Sequence, residues 1–182
     1  LKIILDPVMV SSSGHRLLSI EAQDVIKERL LQMSTLITPN IPEMEALTGM
    51  RLVAYPEKEK ASRYLMDCGA KAVLLKGGHE EGDIKTDILY SKFTGKLRID
   101  TFASDTIYTK NIHGTGCTLS SAIAAFMARG YLLPDAVAEA KHYVSDAIQA
   151  GANIKIGHGF GPVNHGFNPQ PMEIIDVKDD SL

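Results

Sequence analysis

The segment "NIHGTGCTLSSAIAA" (residues 111–125) brings two glycines, a thiol and a run of small residues into one turn-and-helix unit. Gly114 and Gly116 let the backbone pass close to a ligand, and a helix opening there aims unpaired amides and its positive dipole end at the same space. That is chemistry for holding an anion, phosphate above all. Cys117 falls in the first helical turn, where the same field favours a thiolate, the form that acts as base or nucleophile. A helix cap with a small buried cysteine is the alternative. Asp6 in "LDPVMV" stands at the carboxyl end of a strand, where open α/β sheets bind ligands. It can hold Mg2+ directly or through water, or else cap the turn before Pro7. Asn40 and Glu43 in "TPNIPEMEALTG" are three apart at a helix start and can face one point, although Glu43 in a first turn also complements the helix dipole unaided. Lys76 in "LLKGGHEEG" ends a strand beside two glycines and suits a phosphate contact.

Other nucleotide and metal patterns fail. Gly77 and Gly82 match the glycine spacing of a Walker A loop, but Asp83 follows where lysine is required, and "GHGFGPVNHGF" does not fit a dinucleotide fingerprint. His158 and His165 read as polar loop residues, since no third ligand is placed by spacing. Cys68 ends an apolar stripe and reads as core packing.

The elements that must position these residues alternate in type. "KIIL" (2–5), a helix over 20–33, "TLIT" (35–38), a short helix from Pro42, a helix over 57–68 and "AVLLK" (72–76) are the pattern of an α/β protein with a mostly parallel central sheet flanked by helices. The stripe Ala22, Val25, Ile26, Leu30 and Met33 carries the first helix, and Ala61, Tyr64, Leu65 and Cys68 carry another, closed by Gly69. "TDILYS" (86–91), a turn at Thr94-Gly95 and "KLRIDTF" (96–102) predict a β-hairpin appended to the sheet edge. "TIYTK" (106–110) reads as a further short strand. Two helices follow, one with Leu119, Ala122, Ile123, Phe126 and Met127 on a face and ended by Gly130, the other opening at Pro134-Asp135 and ended by Gly151. The tail from Asn153 reads as loop, with a frayed acidic end.

The 182 residues fit one domain, and 45% hydrophobic with 23% charged residues is the composition of an ordinary folded protein. A net charge of -3 without Lys or Arg runs gives no footprint for nucleic acid or anionic lipid. No apolar run is long enough to cross a bilayer, so the expectation is a cytoplasmic protein that acts on a small molecule. Two cysteines in unrelated contexts make neither a disulfide framework nor a zinc site. The chain opens directly on a strand without an initiator Met, which suggests that an upstream segment is missing.

In their order, "DPVMVSSSG", "ITPNIPEMEALTG", "LLKGGH", "NIHGTGCTLSSAIAA" and "GFGPVNH" resemble the hydroxymethylpyrimidine/phosphomethylpyrimidine kinases of thiamine biosynthesis, members of the ribokinase-like superfamily. The most specific element is Gly114-Thr-Gly-Cys117, because many superfamily members carry Asp where this family has Cys. The resemblance implies a three-layer α/β/α fold and phosphoryl transfer from ATP with Mg2+. Cys117 would be the general base for the substrate hydroxymethyl group, and the backbone of Gly114, Thr115, Gly116 and Cys117 the anion hole. Asn40 and Glu43 match the superfamily's Asn-x-x-Glu element around Mg2+ and phosphate, Asp6 would lie near the same metal, and Lys76 would touch phosphate. Val8 would border the pyrimidine, the region from the hairpin to the tail would hold the adenine, and Asn111 and His113 fit the family's pattern before the anion hole. A small-molecule substrate and a homodimer are expected. The family's N-terminal glycine- and serine-rich segment, which supplies most pyrimidine contacts, has no counterpart here, so residues 1–182 read as the C-terminal nucleotide-binding and catalytic part. Pyridoxal kinase, which shares the fold, and a non-catalytic nucleotide-binding remnant are the competing expectations.

Overall fold

The computed structural model describes residues 1–9, 17–78 and 82–171. Among the described residues five strands form one sheet in the order β1 (Ile4–Leu5), β2 (Leu36–Ile37), β3 (Ala72–Leu75), β4 (Ile84–Phe93) and β5 (Lys96–Asp105). β1, β2 and β3 are parallel, with Ile4 beside Leu36 and Ile37 beside Val73. β4 then runs antiparallel to β3, with Leu75 opposite Ile88, and β5 pairs antiparallel along all of β4. The hairpin therefore extends the β3 side of the sheet, and its turn uses Thr94 and Gly95, both at positive φ (49° and 78°). Such a turn matches the right-handed twist of the strands it joins.

All four residues of β3 are buried, as a strand covered by helices on both faces requires. Period-two alternation divides the core. Ile37, Val73, Leu75, Ile88 and Tyr90 pack on one side with Met44, Leu47 and Leu65. These last three come from α3 (Ile41–Thr48) and α4 (Tyr55–Asp67). Leu36, Leu74 and Leu89 pack on the other side with Leu119, Ile123, Val137 and Ala140. Those belong to α5 (Thr115–Ala128) and α6 (Leu133–Gly151), and the result is the three-layer arrangement.

The first helical segment differs from its sequence reading. α1 (Ile20–Val25) passes through a π-helical stretch (Ile26–Leu30) into α2 (Leu31–Met33), and Leu31 N–H donates to Ile26 O. One wide turn shifts the buried phase. Gln23, Ile26 and Leu31 face inward, while Val25, Leu30 and Met33 of the expected stripe are exposed. Tyr64 likewise leaves the second stripe for the surface, whereas Ala61 and Leu65 are fully buried and Cys68 packs against the core as expected. Residues 106–110 form no strand. β4 begins at Ile84, opposite Asp105, so its ladder offers the chain beyond Asp105 no further partner; Thr106 instead bonds back to Gly82 O and Asp83 O. The readings made on the "VSSSGH" loop (residues 10–15) and on the acidic end lie outside the described residues.

Candidate active site at the strand ends

Asp6, Thr38 and Lys76 each stand two residues beyond an apolar residue, Ile4, Leu36 and Leu74, that packs in the core beneath α5 and α6. The pleat therefore delivers all three polar side chains to the α5 face at the carboxyl ends of β1, β2 and β3. Asp6 Oδ1 accepts from Thr38 Oγ1 and from Lys76 Nζ, both at 3.1 Å. Lys76 Nζ also lies 3.8 Å from Glu43 Oε2. The side chains of Asp6 and Lys76 keep only 13% of their exposure and that of Glu43 keeps 8%, so the cluster sits in a weakened dielectric.

Glu43 reaches the cluster through a capping box. Asn40 Oδ1 accepts from Glu43 N–H and Glu43 Oε2 accepts from Asn40 N–H, each at 2.8 Å. The capping role at the helix start therefore does not take Glu43 away from the cluster, since the oxygen that closes the box is also the one near Lys76. Burial pushes the Glu43 carboxyl above its ordinary value near 4.5, with Lys76 and the Asn40 amide pulling it back. Among the described residues the Asp6 carboxylate caps no turn: Val8 N–H bonds the Asp6 backbone oxygen at 2.9 Å, and the carboxylate accepts from Thr38 and Lys76. Val8 itself is half-buried next to the strand end.

The first turn of α5 covers this cluster. Gly114 is its N-cap at φ 87°, a left-handed conformation that favours glycine. A β-carbon on Gly116 would stand 3.4 Å from Lys76 Nζ and 3.8 Å from Asp6 Oδ2. Thr115 N–H turns back to Ile112 O, and Thr118 N–H closes the first helical bond to Gly114 O. This leaves the Gly116 and Cys117 amides as first-turn donors without a helical acceptor. Cys117 is exposed, which removes the buried-cap alternative.

The tail holds this turn in place. His113 N–H donates to Gly161 O at 3.0 Å, and Asn111 Nδ2 donates to Gly151 O at 2.7 Å and Ile154 O at 2.6 Å. His165 is a structural polar residue: its Nε2 lies 2.8 Å from Thr118 Oγ1, which also donates to Gly114 O. Between the chain after β5 and the tail lies an open cleft of about 660 Å³, lined by Tyr108, Lys110, Ile154, Ile156 and His158 among others.

The residues singled out from sequence, Asp6, Asn40, Glu43, Lys76 and Gly116, thus meet at one place, with Cys117 beside them. Sequence reading missed Thr38, although it ends a strand beside Pro39-Asn40, and it missed the pair Asp87–Lys141, whose partners come from distant elements. Among the described residues no group of three or more His, Cys, Asp or Glu side chains could cage a metal, and no helix is long and apolar enough to cross a membrane.

A layered α/β/α sheet with charged strand ends under a glycine-opened helix is the architecture of the ribokinase-like kinases. The pyridoxal kinase from Staphylococcus aureus in complex with AMP-PCP superposes with a TM-score of 0.78 at 31% identity, over 91% of this chain and 58% of that one. The chain belongs to the phosphomethylpyrimidine kinase family, whose model matches residues 1–164. It is 44% identical over 163 residues to the thiamine biosynthesis bifunctional protein ThiED of Geobacter sulfurreducens, covering 90% of this chain and 32% of that protein. It is 43% identical over 164 residues to the hydroxymethylpyrimidine/phosphomethylpyrimidine kinase of Rhizobium meliloti, covering 89% of this chain and 60% of that enzyme.

Proposed function

We propose that this chain is the nucleotide-binding and catalytic part of an ATP-dependent kinase that phosphorylates hydroxymethylpyrimidine and then its monophosphate. The observation that carries the reading is the convergence of Lys76 Nζ and the Asp6 and Glu43 carboxylates beneath the first turn of α5. The names of its relatives support the substrate class. Phosphoryl transfer asks a protein chiefly for positioning and charge neutralisation, and both are available here. Lys76 and the Gly116 and Cys117 amides hold the phosphate being transferred, and Cys117 Sγ, exposed at the mouth of the turn, takes the proton from the substrate hydroxymethyl group. Asp6 and Glu43 offer the hard oxygens that suit Mg2+ bound by one or two carboxylates, with water and substrate phosphates completing its shell. ATP supplies the phosphoryl group and Mg2+ adds positive charge around it. The cleft beside Tyr108 and Ile154 takes the adenine, and Val8 borders the pyrimidine. The reading places the protein in the cytoplasm as a homodimer with no nucleic-acid or membrane partner.

The test is ADP release from Mg-ATP with hydroxymethylpyrimidine monophosphate in a coupled assay. Turnover supports the proposal. Nucleotide binding by a folded chain without turnover favours a nucleotide-binding module, and absence of Mg-ATP binding overturns both. Pyridoxal kinase is the second reading, favoured by the superposition on the Staphylococcus aureus enzyme; faster turnover of pyridoxal than of the pyrimidine would establish it instead.

A further inference from the structure

Asp87 takes no part in the site described above, yet it is 6% exposed, a buried carboxylate inside the sheet. Strand pairing explains where it stands. Leu75 lies opposite Ile88, so one further step of the antiparallel register sets Asp87 opposite Lys76. Ile88 and Tyr90 pack on the α3 and α4 side and Leu89 on the other, so Asp87 shares the face of Leu89, which α6 covers. There its Oδ2 accepts from Lys141 Nζ at 2.6 Å, and its Oδ1 accepts from Gly77 N–H at 2.8 Å.

A buried ion pair is weak evidence for stability, because well-packed apolar residues of similar volume often serve as well or better. What a carboxylate adds at this position is an acceptor for the peptide that follows Lys76. The preceding peptide is held too, since Lys76 N–H donates to Pro39 O at 2.9 Å. Both peptide planes around the Lys76 α-carbon are therefore anchored, and anchoring the two planes restricts its φ and ψ. From that fixed backbone the side chain reaches Asp6 Oδ1 at 3.1 Å.

We propose that Asp87, with Lys141 as its counter-ion, is a positioning residue for Lys76: it fixes the peptide between Lys76 and Gly77, and so the direction in which the Lys76 ammonium is presented. The use of that ammonium on a phosphate rests on the proposed function; the positioning does not.

Two double variants separate positioning from mere stability, and neither leaves a buried charge unpaired. Asp87→Asn with Lys141→Met keeps an acceptor for Gly77, whereas Asp87→Leu with Lys141→Met removes it. The ligand-free readout is the rate of reductive methylation at Lys76, followed by peptide mass spectrometry. The second readout is calorimetric affinity for Mg-ATP and for adenosine. The leucine variant should methylate Lys76 about tenfold faster than wild type and bind Mg-ATP about tenfold more weakly with adenosine unchanged, while the asparagine variant stays within about twofold on all counts. Equal Lys76 reactivity in the two folded variants would overturn the proposal. If the wild type binds no Mg-ATP, the functional reading fails while the methylation contrast still decides the positioning. Should the leucine variant not fold, native-state amide exchange of the wild type decides instead: Gly77 protected as strongly as the β3 amides supports the proposal, and fast exchange at Gly77 refutes it.

Discussion

Replacing Gly116 by alanine should separate the stability of the fold from the capacity of the site. Gly116 is the second residue of α5, and unlike Gly114 it has no positive φ, so the backbone accepts a side chain there. Alanine in place of glycine favours a helix by at most about 1 kcal/mol at such a position. The added methyl would meet Lys76 Nζ at 3.4 Å, the end of a flexible side chain that can give by a few tenths of an ångström. Stability should therefore be unchanged or slightly raised. The same methyl fills the space where an anion would touch both the Lys76 ammonium and the first-turn amides. Losing one charge-assisted hydrogen bond removes about 1.5–3 kcal/mol, roughly 10- to 150-fold in Kd. Urea unfolding and calorimetry on Mg-ATP and adenosine would read the two effects independently. Unchanged Mg-ATP affinity would refute the placement of the anion between Lys76 and α5, and a stability loss above about 1 kcal/mol would refute the helix argument. Gly114→Ala is the counterpart. Nothing lies within 4 Å of its β-carbon, but φ is 87°, so it should lose about 1–2 kcal/mol by backbone strain alone.

Cys117→Ala should lower turnover by about 10²- to 10⁴-fold while Mg-ATP affinity stays close to wild type, and unchanged turnover would remove Cys117 from proton transfer. Glu43 carries a pH signature. Its folded carboxyl titrates above the ordinary value near 4.5, so within that interval the folded chain binds more protons than the unfolded one, and stability falls as pH rises. The stability of Glu43→Gln relative to wild type should therefore climb with pH from about 4.5 and level off above the folded value; a flat or falling difference in urea titrations would contradict the burial argument. Leu31→Ala should cost about 2–5 kcal/mol by leaving a core cavity, whereas Leu30→Ala, on the exposed side of the π-helical turn, should stay within about 0.5 kcal/mol. A larger loss at Leu30 than at Leu31 would place the helix in the uninterrupted phase.

Local sequence determined much of this architecture because its signals act over a few residues. The buried run Ala72 to Leu75, the Thr94-Gly95 turn and the Gly130 helix end are short-range steric and hydrophobic choices, legible without knowledge of the fold. Asp6, Asn40, Glu43, Lys76 and the glycines before Cys117 could likewise be singled out, since each sits where a strand ends or a helix begins. The same logic failed where the outcome depended on distant partners. The π-helical turn over Ile26–Leu30 put Leu31 inside and Leu30 outside, although an uninterrupted helix would bury Leu30. Residues 106–110 have strand-like composition, but Thr106 is bonded back to Gly82 and Asp83, and composition cannot tell a chain whether a partner strand extends that far. Only the tertiary structure brought Asp6, Lys76 and Gly116 within reach of one another, because strand register and the pleat set which side chains share a face. It alone paired Asp87 with Lys141 across 54 positions of sequence, a contact that no local spacing encodes.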